Sequence, residues 1–144
     1  MKLTSRYMFS ASHRLHSHEL SEQQNWDTYG RCNNQHGHGH NYSLEVTLAG
    51  SPDTLSGLLC DRDQLDRLVE EEILSRVRHV NLNEQVAEFG QLVPTTENVA
   101  FVFTSWLKQG WSRHFAKSPV ELDRVRIYET RNNRFEIEAN EVKQ

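Results

Sequence analysis

A chain of 144 residues, 36% of them apolar, is sized for one domain over 1–144 with a core of its own. Sixteen basic against twenty acidic side chains leave a net charge of -4, which argues against a nucleic-acid binder. The longest apolar run, Val99 to Phe103, is far below the ~18 residues of a membrane span, and two cysteines are too few for a disulfide framework. With no apolar leader after Met1-Lys2-Leu3, a cytoplasmic protein with no membrane partner is expected.

Residues 2–12 alternate, with Leu3, Tyr7, Phe9 and Ala11 on one face, and read as a half-buried strand. Residues 16–34 are polar and aperiodic and read as a long loop. Tyr42, Leu44, Val46 and Leu48 alternate in a second strand that ends at Gly50-Ser51-Pro52. Asp61 caps a first helix over 62–78, with Leu65, Leu68, Val69, Ile73 and Val77 at helical spacing. Pro94-Thr95 opens a second helix carrying Val99, Val102, Phe103, Trp106 and Leu107, and Gly110 is read as its stop. Strands over 120–129 and 134–139 close the chain around the turn Arg131 to Arg134. The order ββααββ predicts an α+β fold, an antiparallel four-stranded sheet with two helices on one face.

Six of the eight histidines fall between His13 and His40, and histidine is the commonest neutral metal ligand. In His38-Gly39-His40 both imidazoles can face one point from an extended chain, and an antiparallel first strand would bring His13 opposite them. Three histidines with an open position form a catalytic Zn²⁺ pattern. His16, His18 and His36 could each substitute, although loop positions are held less firmly, and His114 reads as a surface residue. Cys32 lies six residues before His38, where a thiol near a metal and a basic side chain would have a lowered pKa. His79 follows the first helix, Glu129 ends a strand on its inward face, and Glu97 sits in the first turn of the second helix.

Phe9 to Leu15, Cys32 to Tyr42, Gly57 to Asp61, His79 to Asn83, Pro94 to Asn98 and Tyr128 to Thr130 together resemble the 6-pyruvoyl-tetrahydropterin synthase family, which includes the queuosine-pathway 6-carboxy-tetrahydropterin synthase. The resemblance implies a tunnelling fold (T-fold), a homohexamer built as a dimer of trimers, and active sites at subunit boundaries. It implies His13, His38 and His40 as Zn²⁺ ligands, Cys32 and His79 as catalytic residues, and Glu129 as the pterin anchor, with Thr95, Thr96 and Glu97 lining the pocket. The implied activity is a carbon-oxygen/carbon-carbon lyase acting on 7,8-dihydroneopterin triphosphate. Triphosphate would leave to give 6-carboxy-5,6,7,8-tetrahydropterin or 6-pyruvoyl-tetrahydropterin. One position departs from the family. The residue before the catalytic histidine, usually an aspartate that completes a relay, is Arg78 here. A guanidinium cannot accept a proton, so slower proton transfer, or a pterin-binding homologue weakened in catalysis, is the alternative expectation.

Overall fold

The computed structural model describes residues 1–116 and 118–143. Alternation in the first half of the chain produces the central hairpin. β1 (Lys2–His13) pairs antiparallel with β2 (His38–Ala49) in an unbroken register from Lys2 opposite Ala49 to His13 opposite His38. The segment expected to be a loop instead contains α1 (Glu22–Tyr29) and a 3₁₀ turn (Gly30–Asn33). Ser21 and Gln24 form a reciprocal capping box on α1, and its only buried residue is Asn25, so no apolar stripe announced it.

α2 (Arg62–Val69) runs through a π turn (Glu70–Leu74) into α3 (Ser75–Val77), so the first predicted helix is continuous but wider in its middle. Two elements escaped the sequence pattern. β3 (Val80–Asn81) pairs in parallel with Ala11 and Ser12, and α4 (Leu82–Gln85) follows it. α5 (Thr96–Phe115), β4 (Glu121–Tyr128) and β5 (Arg134–Glu138) complete the frame. The expected antiparallel strands are therefore present as β1-β2-β4-β5, and β3 on the outer edge makes the sheet five-stranded and mixed.

The two long helices cover one face of this sheet. Phe9, Tyr42, Leu44, Val46, Val125 and Ile127 point into the core against Leu65, Leu68, Ile73, Val99, Phe103 and Leu107. Phe9 stacks on Tyr42 at 4.9 Å and meets Phe103 at 5.7 Å. The opposite face is polar, and an Arg6–Glu45–Arg126–Glu136 ladder runs across four strands.

Gly110 does not stop α5. It lies inside the helix because the buried carboxylate of Glu72 packs there, held by Arg76 and Arg113. A Cβ at position 110 would lie 2.6 Å from three Glu72 side-chain atoms. Glycine to alanine in a helix ordinarily stabilises by about 1 kcal/mol. Here Gly110→Ala is expected to destabilise by about 1–3 kcal/mol through overpacking, a reversal of sign that urea denaturation measures directly.

Candidate active site

The β1–β2 register builds the centre. His13 sits opposite His38, and His40 lies two residues further along β2, opposite Ala11, so all three imidazoles share the helix-covered face. Their ring centroids are 4.7, 5.1 and 4.8 Å apart, with the rings steeply inclined to one another. One nitrogen from each lies within 4.8 Å of the other two, and His13 Nε2 is 3.1 Å from His38 Nε2.

The outer contacts orient these rings. His13 Nδ1 donates to the Pro94 carbonyl at 2.8 Å, which leaves its Nε2 lone pair directed inward. Tyr42 Oη lies 3.3 Å from the same Nδ1. Burial pushes the His13 imidazole down to about 4, so the ring is neutral near pH 7; His38 is lowered too, first by burial and then by His40. His40 Nε2 is buried and has no hydrogen-bond partner among the described residues. A buried lone pair left unpartnered is costly, and a cation among the three nitrogens would relieve that cost. Three imidazoles aimed at one point therefore fit a divalent metal of the zinc type. His16 instead holds Asn33 through Nδ1, and His18 and His36 are exposed, so the loop histidines stand outside this centre.

Glu129 follows the end of β4 and reaches the same point, with Oε1 3.5 Å from His13 Nε2 and 3.6 Å from His40 Nε2. Cys32 is half-buried in the 3₁₀ turn. Burial pushes its thiol up, and nearby Glu129 pushes it further. Thr95 caps α5 through the Asn98 amide, and Thr96 is buried behind it, both next to the Pro94 carbonyl that holds His13. Glu97 is exposed on the first turn, where a carboxylate complements the helix dipole.

His79 adopts a left-handed conformation with φ of 57°, and its N–H donates to the Ser10 carbonyl at 2.7 Å. A non-glycine residue in this region is strained and is often found where function requires it. It lines a cleft of about 380 Å³ with Ser10, Ser12, Asn41 and Asn81, positions that alternate to the sheet face opposite the three imidazoles. Arg78 turns away to a two-pronged ion pair with Glu70 at 2.6 and 2.8 Å. His114 is not a free surface residue. Its side chain is only 10% exposed and contacts Glu71 at 3.0 Å.

The sequence reading missed Tyr42 and Pro94 as partners of His13. Position i+2 from His40 on the same strand face was the available signal for Tyr42. Gly37 was also missed. It has φ of 67°, and a Cβ there would lie 2.7 Å from the His13 carbonyl oxygen. Gly37→Ala is expected to cost about 2–4 kcal/mol, the sum of left-handed strain and overpacking, read as a lowered denaturant midpoint.

The model of the family described as 6-pyruvoyl tetrahydropterin synthase matches residues 2–140. The 6-pyruvoyl tetrahydrobiopterin synthase of Homo sapiens is 40% identical over 133 residues, covering 92% of this chain and 87% of that protein. The putative 6-carboxy-5,6,7,8-tetrahydropterin synthase of Archaeoglobus fulgidus is 29% identical over 129 residues, covering 90% and 88%. Among solved structures, Caenorhabditis elegans 6-pyruvoyl tetrahydropterin synthase superposes with a TM-score of 0.88 at 38% identity, covering 96% of this chain and 94% of that one.

Proposed function

The chain belongs to the 6-pyruvoyl tetrahydropterin synthase family, and from that premise we propose that it is a zinc-dependent lyase that removes triphosphate from 7,8-dihydroneopterin triphosphate to give 6-pyruvoyl-tetrahydropterin. The observation that carries this reading is the convergence of His13, His38 and His40 on one point beside Glu129, with an unpartnered His40 nitrogen facing it. The pyruvoyl product is preferred over the carboxy product because the human relative named for the former is 40% identical and the archaeal one named for the latter is 29%.

Zn²⁺ held by the three imidazoles would supply Lewis acidity toward the substrate side-chain hydroxyls and a positive field that favours the Cys32 thiolate. Glu129 accepts paired hydrogen bonds from the pterin amino and ring N–H groups and so fixes the ring. Thr95, Thr96 and Glu97 line the ring pocket. Cys32 moves a proton on the side-chain carbon next to the ring, and His79 is the second proton carrier. Residue 78 is an arginine paired with Glu70 rather than a relay carboxylate beside His79, which favours slow turnover as the second reading. We assign 1–144 to one catalytic domain, assembled as a cytoplasmic homohexamer.

Zinc-loaded protein incubated with 7,8-dihydroneopterin triphosphate, with products separated by liquid chromatography and mass detection, tests the proposal. A 6-pyruvoyl product that is lost in Cys32→Ala supports it. A 6-carboxy product moves the chain to the queuosine branch, and tight pterin binding without triphosphate release moves it to the weakened homologue.

A further inference from the structure

We propose that Asn83 is a positioning residue for the metal centre, its carboxamide clipping both backbone groups of Arg14 and so holding the residue after His13. The assignment rests on His13 as a metal ligand. Asn83 Oδ1 accepts from the Arg14 N–H at 2.8 Å, and its Nδ2 donates to the Arg14 carbonyl at 2.9 Å. In effect a side chain continues the β3–β1 pairing beyond Ala11 and Ser12. At the other end of this pairing the His79 N–H meets the Ser10 carbonyl, so residues 79–83 hold the outer edge of the ligand strand from Ser10 to Arg14. Asn83 is itself fixed, because its N–H donates to Asn81 Oδ1 at 3.0 Å.

The other side of the same segment holds the Cys32 turn. The Arg14 guanidinium donates to the Asn33 carbonyl at 3.0 Å and to its Oδ1 at 3.3 Å, and the Leu15 N–H donates to the Cys32 carbonyl at 2.9 Å. Arg14 therefore stands between the loop carrying His79 and the turn carrying Cys32, one residue from His13. The chain at Gly37 passes close enough to the His13 carbonyl that a Cβ there would lie 2.7 Å from its oxygen. The clip needs one donor and one acceptor side by side. A carboxylate of the same shape offers only acceptors and would set a negative oxygen against the Arg14 carbonyl.

The test compares Asn83→Asp and Asn83→Ala with wild type by Zn²⁺ affinity, in competition with a chromophoric chelator. Val142→Ala, a buried change remote from the centre, serves as the control for general destabilisation. Both Asn83 variants are expected to bind Zn²⁺ roughly 10–100-fold more weakly, as for other residues that orient a ligand, with Asp no better than Ala. An Asp variant that binds like wild type, or a loss no greater than that of Val142→Ala, would overturn the assignment. Should both variants fail to fold, deuterium exchange in the wild type decides it. The Arg14 amide is expected to be strongly protected, and free exchange overturns the clip. Zinc affinity that follows Asn83 without any pterin turnover would sink the reaction proposed above and leave the clip standing.

Discussion

Replacing His40 with alanine is expected to empty the three-imidazole centre and to lower turnover roughly 10³-fold, the equivalent of several kcal/mol of lost charge stabilisation. His40 is the most informative of the three histidines to remove. His13 is fully buried and bonded to Pro94, so its loss would disturb the packing as well as the metal. The His40 side chain is 18% exposed and its inward nitrogen makes no hydrogen bond among the described residues, so its removal breaks no hydrogen bond made by that nitrogen. Elemental analysis should therefore fall from about one metal per chain toward zero, while the melting temperature matches that of chelator-treated wild type. A variant that keeps its metal would transfer the site to the loop histidines His16, His18 or His36.

What made this centre legible was strand periodicity. Alternation placed β1 and β2, and the spacing of two in His38-Gly39-His40 then fixed which face both rings share; the hairpin register did the rest for His13. The missed elements lacked such a signal. β3 has two residues and pairs in parallel with a strand far away in sequence, so no window of local pattern contains it. α1 buries only Asn25, whose amide holds the backbone of Ser17, Leu20 and Ser21, so polar staples take the place of an apolar stripe. The misread Gly110 has a tertiary cause, since Glu72 arrives from a π turn some forty residues away. Arg78 shows the same limit, because its partner Glu70 lies two turns back and takes up its guanidinium.

Glu129→Gln is expected to weaken pterin binding about 10²-fold while leaving the metal in place. The carboxylate presents two acceptors to the paired donors of the ring, and glutamine presents one acceptor beside a donor. One ring N–H then faces an amide hydrogen, and the loss of a charge-assisted bond together with that unmatched donor amounts to about 2–3 kcal/mol. Binding of a pterin that lacks the triphosphate, followed by fluorescence or calorimetry, isolates this contribution from the metal chemistry. The geometry makes the control essential, because Glu129 Oε1 lies within 3.6 Å of two of the ligand nitrogens and could serve the cation rather than the ring. The two roles give opposite results. A variant that loses pterin and keeps zinc assigns the carboxylate to the substrate; one that loses zinc and keeps pterin assigns it to the metal, and the ring pocket would then have to be built from the Thr95–Thr96 turn alone.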